Sequence, residues 1–256
     1  MPCDRRGISH ILELTFAALA WCGADGRPIA RAAPVGSVAD GLDDDFSTDE
    51  DASRLVAKAP RAPAPDTAMT THEPLPNRVD PFGDLFATPA RGAMMGNRGG
   101  RFHRDDRTLG ARRHASSRWI CCVLAFKGRR RAVWSAGYTE LFFLDEATAL
   151  AAGHRPCFEC RRAAALDYAR AAFGRSAQAG EIDAALQAER GAARVAIPRA
   201  AAERLPHGAM AGDPVRRAAW LRAGDGWRRW TPFGYEDGAP GDAPLVILTP
   251  ATSLRA

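Results

Sequence analysis

No run in these 256 residues is long and apolar enough to cross a bilayer as a helix. A Walker-type phosphate loop, a dinucleotide-binding glycine fingerprint and a Ser-His-Asp arrangement are also missing. These absences argue against a nucleotide-driven motor, a dinucleotide-dependent oxidoreductase and a serine hydrolase. No internal repeat is visible, which argues against a solenoid. Six cysteines (Cys3, Cys22, Cys121, Cys122, Cys157 and Cys160) are too few to staple a chain of this size with disulfides. Neither sign of charge dominates. With 35 basic and 30 acidic residues the formal net charge is only +5, so its distribution carries more information than its total.

Four of the cysteines fall between residues 121 and 160, two of them as C-x-x-C. That clustering points to metal binding in a reducing compartment, hence a cytoplasmic protein. The N-terminus argues weakly for export. Arg5 and Arg6 precede the apolar stretch Ile8 to Trp21, but Glu13 interrupts it and no A-x-A-like site follows. In Leu19-Ala20-Trp21-Cys22, Trp21 fills a position that a lipoprotein box reserves for a small residue. Residues 1–70 carry an acidic run, Asp40 to Asp51, and an Ala-Pro alternation, Ala57 to Asp66. Such a segment buries too little apolar surface to offset its ordering entropy. It is expected to be either a disordered tail or an over-extended gene start, with Met69 as the natural first residue.

The remainder reads as an α+β chain. A small β-hairpin or sheet with a zinc knuckle and short helices, residues 71–175, is followed by a helical and then β segment, residues 176–256. Short strands are expected at Val79 to Phe86 and Ala93 to Met95, with a glycine-bearing turn at Asn97 to Arg101. Trp119 to Phe126 is expected to pair with a returning strand, Arg131 to Trp134, across the turn Lys127 to Arg130. Helices are expected at Arg161 to Phe173, with Leu166, Tyr168, Ala169 and Phe173 inward, then at Ile182 to Arg190 and Pro198 to Arg204. Short strands close the chain at Ala219 to Leu221, Trp227 to Trp230 and Leu245 to Leu248, the first two joined through Gly224-Asp225-Gly226.

Tyr138 to Arg162 is the most informative stretch. Tyr138 to Leu144 is aromatic and apolar, suited to a half-buried strand. Asp145 can cap a helix over Glu146 to Ala152, and Gly153 suits its left-handed end. The next residues are His154-Arg155-Pro156-Cys157-Phe158-Glu159-Cys160. Cysteines three apart can offer both sulfurs to one ion, half of a structural zinc site. The other ligands are sought among Cys121, Cys122, His154, His103 and His114. Neighbouring strand residues face opposite ways, so one of Cys121 and Cys122 is expected to face the pair and the other the core.

This stretch resembles the Ada-type metal-binding domain of bacterial alkylation-repair and regulatory proteins. The resemblance rests on Phe142, Phe143, Asp145, Glu146, Ala147, Ala151, Ala152, Gly153, Arg155, Pro156, Cys157 and Cys160. It implies a Zn²⁺ site and contact with DNA. In repair members a metal-bound cysteine accepts a methyl group from DNA phosphotriesters. The family's upstream cysteines are separated by three residues, whereas Cys121 and Cys122 are adjacent here, so that activity does not carry over directly.

A basic band completes the reading: Arg98, Arg101, Arg104, Arg107, Arg112, Arg113 and Arg118, then Lys127, Arg129, Arg130 and Arg131. Lys and Arg neutralise phosphates, and Phe102, Trp119 and Trp134 offer rings for stacking. DNA or RNA is therefore the expected partner, with Arg101, Arg104, Arg112, Arg113, Lys127, Arg129, Arg130 and Arg131 as the contact set. The competing explanation is a high-GC composition that raises Arg and Ala without function. Two further readings stay open. One is an enzyme, either a methyl acceptor or a metal-dependent nuclease using His103, Asp105 and Asp106. The other is a protein-interaction module exposing Trp220 and Trp230.

Overall fold

Short segments far apart in the chain pair to build the first sheet. The computed structural model describes residues 73–129, 132–224 and 226–256. The expectations for residues 1–70, and for Arg130 and Arg131, lie outside the described residues. Strands β1 (Arg78–Val79), β2 (Leu85–Phe86), β3 (Met94–Arg98), β4 (Trp119–Cys122), β5 (Leu141–Phe143) and β6 (Arg155–Pro156) lie in the order β2-β1-β5-β3-β4-β6. β4 runs antiparallel to β3 and parallel to β6, with Cys121 opposite both Gly96 and Pro156. Pro156, which cannot donate a ladder hydrogen bond, sits on the edge strand where that costs least.

This pairing corrects the expected hairpin. With β3 and β6 occupying both sides of β4, no place remains for a returning strand at Arg131 to Trp134. Among the described residues none forms between Cys122 and Leu141. The chain instead closes a tight turn over Phe126 to Arg129, with Arg129 N–H donating to the Phe126 carbonyl at 3.0 Å.

Helix α1 (Glu146–Ala151) follows β5 as its capping signals suggest. Asp145 Oδ1 accepts from the Thr148 N–H at 2.8 Å. Gly153, at φ +78°, takes the left-handed conformation that turns the chain back toward β6. Helices α2 (Arg162–Phe173) and α3 (Ala179–Gly191) come next. The α2 stripe is Ala165, Tyr168, Ala169 and Ala172 at helical spacing, while the expected Leu166 and Phe173 are half-buried at its margin.

The C-terminal β segment is larger than expected. Strands β7 (Ala196–Ile197), β8 (Met210–Asp213), β9 (Ala218–Ala223), β10 (Gly226–Thr231), β11 (Gly234–Asp237) and β12 (Leu245–Ile247) form a second six-stranded sheet. Its neighbours are all antiparallel. Helices α4 (Arg199–Ala202) and α5 (Ala251–Leu254) are single turns beside it. Phe82 and Ala151 pack with Met210, Ala219, Val246 and Leu248, joining the two halves through one apolar cluster. Trp230 donates its Nε1–H to Thr148 Oγ1 at 3.0 Å, and the Tyr235 hydroxyl donates to Asp145 Oδ2 at 2.8 Å. Trp220 and Trp227 are buried, and Trp230 packs edge-on against Phe86. These residues therefore make no exposed apolar patch.

Arg155 ties the first sheet to α3. Its Nε and Nη2 donate to Asp183 Oδ1 and Oδ2 at 2.8 and 2.9 Å, and both side chains are buried. A bidentate pair satisfies both charges in a dry setting, and removing one partner strands the other. Asp183→Ala is expected to destabilise the fold by about 3–5 kcal/mol in urea unfolding. A loss below about 1 kcal/mol, the range of a surface pair, would show that this contact does not anchor α3.

Candidate metal centre

β4 presents Trp119 and Cys121 to one face and Ile120 and Cys122 to the other. β6 lies alongside it and delivers the chain into Cys157-Phe158-Glu159-Cys160, where the Cys157 N–H donates to the Cys121 carbonyl at 3.0 Å. The outcome is a cluster of three sulfurs. The Sγ atoms of Cys122, Cys157 and Cys160 all lie within 4.8 Å of one another. Among the described residues no further His, Cys, Asp or Glu ligand atom joins that group. Cys122 and Cys157 are buried, while Cys160 is half-exposed and opens the cluster to one side.

The polar surroundings favour thiolate at Cys157. The Cys122 thiol donates to the Cys157 sulfur, and the backbone N–H groups of Cys160 and Glu159 do the same, so the Cys157 pKa falls below the ordinary thiol range. The Glu159 N–H lies 3.4 Å from that sulfur. Cys122 moves the opposite way, held protonated by the same bond and by burial. Burial also raises Cys160, against a Val123 N–H that favours its charged form. Sulfurs so close resist carrying charge together unless a cation compensates them. Three sulfurs this close, deprotonated together, would suit a soft divalent ion such as Zn²⁺, and the N–H groups directed at Cys157 and Cys160 would give such an ion outer support.

The structure does not bring the other sequence candidates to this cluster. Cys121 lies on the opposite face of β4, fully buried with Phe102, Leu141 and Phe143, its thiol pushed up to about 12 by burial. His154 is a correction. It is completely buried on that same face, between Trp119 and Phe143, with ring centroids 5.0 and 4.7 Å away. His103 is also committed elsewhere: Nδ1 meets Thr139 Oγ1 at 2.8 Å and Nε2 meets the Ser135 carbonyl at 3.1 Å. Since a carbonyl only accepts, Nε2 carries the proton and Thr139 donates to Nδ1. His114 is exposed and tilts against Trp119.

A second polar centre behind β4 was not read from the sequence. Arg98, counted there in the basic band, is only 1% exposed. Its guanidinium stacks 3.9 Å from the Trp119 ring centroid and donates to the Gly83 carbonyl at 2.8 Å and to the Arg113 carbonyl and His154 Nε2 at 3.4 Å each. Burial, with the Arg190 charge nearby, lowers its pKa to about 9. Because His154 Nε2 accepts, Nδ1 holds the proton, with the backbone of Ala149 and Ala152 beside the ring. The remaining contact residues divide into two groups. Arg104, Arg112 and Arg113 are exposed on the loop entering β4, with Arg101 paired to Asp105. Lys127 and Arg129 follow the far end of β4, with Arg129 Nη2 2.5 Å from Glu159 Oε1 in the knuckle.

No protein-family model, curated protein or solved structure matches the chain.

Two outcomes follow from this geometry. Purified protein kept reduced should carry zinc, and Cys122→Ser, Cys157→Ser or Cys160→Ser should each lower the bound metal, whereas Cys121→Ser should retain it. Elemental analysis of the four variants checks this, and equal metal in all four would contradict the triad. The second outcome concerns pH. Burial, then the charges of Arg98 and Arg190, hold the His154 pKa well below its ordinary value near 6.5. The unfolded chain therefore takes up a proton, as pH falls through about 6.5, that the folded chain does not. Stability should fall with decreasing pH below that value, by up to about 1.4 kcal/mol per pH unit. His154→Gln should lack this component. The difference between the two proteins, measured by urea unfolding from pH 7.5 to 5, isolates it, because acid-driven metal loss affects both.

Proposed function

We propose that this chain is a zinc-binding module that holds nucleic acid, of the bacterial repair or regulatory kind its Ada-type motif suggests, working in the cytoplasm. The observation that carries the reading is the Cys122–Cys157–Cys160 triad, three sulfurs gathered from two elements at one point. Zn²⁺ there would fasten the end of β4 to the knuckle, and such binding energy is also folding energy. The nucleic-acid part is supported by the exposed arginines on the loop and by Lys127 and Arg129 beside the knuckle. Among the described residues no helix is long and apolar enough to cross a membrane.

A second reading is favoured by one observation. Three protein ligands among the described residues leave a tetrahedral ion one position short, the arrangement of reactive rather than purely structural zinc. In that reading the protein is an enzyme, and one cysteine of the triad accepts a methyl group from alkylated DNA. Intact mass after incubation with methylated DNA separates the two, since only the second reading adds one methyl group per chain.

Binding in the favoured reading should be electrostatic. Anisotropy titrations with labelled DNA and RNA should show affinity falling steeply with salt. Arg104→Ala, Arg112→Ala and Arg113→Ala combined should lower the slope of log affinity against log salt by up to about three, roughly one for each lost phosphate contact. Zinc content should not change. Absence of low-salt binding to either nucleic acid would end this reading.

A further inference from the structure

The turn that leaves the metal centre has a built-in conformational cost. Lys127 has φ +51° and Gly128 φ +66°, and the Arg129 N–H closes the turn on the Phe126 carbonyl. Positive φ at both central positions is the pattern of a type I′ turn, which favours Gly, Asn or Asp. A lysine in the first of them is held there against its own preference. The turn gathers three side chains. Phe126 is half-exposed, with Lys127 Nζ 5.2 Å and Arg129 Cζ 5.5 Å from its ring centroid.

Nearby are two of the few large apolar side chains that the described residues leave in solvent, Leu124 at 52% and Tyr138 at 40% exposure. Tyr138 contributes to the field at Arg129, after Glu159. The base of the turn is fixed, because Cys122 starts it and the Val123 N–H is directed at the Cys160 sulfur. An aromatic ring flanked by two cations, with exposed Tyr138 close enough to act on one of them, is ill suited to a regular duplex, whose bases are stacked on each other. It matches a strand with unpaired bases, where rings stack on bases and cations follow the phosphates.

We propose that the Leu124–Arg129 turn, with Tyr138, is a stacking platform for single-stranded nucleic acid. This rests on the nucleic-acid reading above and narrows it to unpaired strands.

The test is anisotropy on the zinc-loaded full chain at low salt, with three labelled probes: an oligothymidylate, an oligouridylate and a duplex of mixed sequence and equal length. At least one single strand should bind about tenfold or more tighter than the duplex, and the thymidylate and uridylate arms tell DNA from RNA. Phe126→Leu keeps an apolar side chain but removes the ring. It should weaken single-strand binding roughly five- to a hundredfold, the loss expected for one base stack, with duplex binding and zinc content unchanged. Tyr138→Phe should be nearly neutral and Tyr138→Ala should weaken single-strand binding. Lys127→Ala should lower the salt slope by about one. Equal or tighter duplex binding, or an unchanged single-strand affinity in Phe126→Leu, overturns the platform while leaving the broader nucleic-acid reading intact. No binding to any of the three probes removes both.

Discussion

The structure depends on the two faces of β4. Alternation along four residues sends Trp119 and Cys121 inward and Ile120 and Cys122 outward. Cys121 belongs to an apolar core, while half-buried Trp119 packs against the buried His154 and Arg98. The outward cysteine meets the knuckle. A shift of one residue in the β3–β4 register would exchange the two cysteines and place Trp119 on the side of Cys157 and Cys160. Pairing on both edges prevents that shift: β3 holds β4 through four residue pairs and β6 through two more.

Buried charge carries much of the remaining specificity. Arg155 is matched by Asp183, a carboxylate that fits its fork. Arg98 instead meets carbonyls, an imidazole and an indole face, with the carboxylates of Asp84 and Asp80 acting on it without a direct ion pair. Its backbone carbonyl also accepts from the N–H groups of Ala115 and Ser116, so one residue fixes the base of the loop that bears Arg104, Arg112 and Arg113. His154 stands one strand away from Cys157 and contacts Arg98. The basic loop therefore leads into β4, and the proposed metal centre lies at the far end of the same strand.

What the sequence made legible was local. The Asp145 cap, helix α1, the left-handed Gly153 and helices α2 and α3 follow from signals within a few residues, while the expected helix Pro198 to Arg204 shrinks to the single turn α4. That Cys121 and Cys122 face opposite ways follows from strand alternation, but which of them meets the knuckle does not. The sequence could not reveal which strands are neighbours. β6 is two residues long with a proline in it, and nothing local marks it as the partner that fills the edge of β4. Strands β8 and β11, Met-Ala-Gly-Asp and Gly-Tyr-Glu-Asp, carry too little alternation to be seen without the sheet around them. His154 looked like a ligand because it is three residues from a cysteine, yet the chain crosses from one face of the sheet to the other in that interval. Arg98 looked like surface because arginine usually is, and only the rings and carbonyls converging from other segments make its burial tolerable.

The central claim is that the sulfurs of Cys122, Cys157 and Cys160 together hold zinc. X-ray absorption at the zinc edge on reduced, full-length protein tests it most directly. The account predicts a shell of about three sulfurs near 2.3 Å with one lighter oxygen or nitrogen neighbour. A four-sulfur shell, a shell dominated by nitrogen and oxygen, or protein that retains no zinc would contradict it.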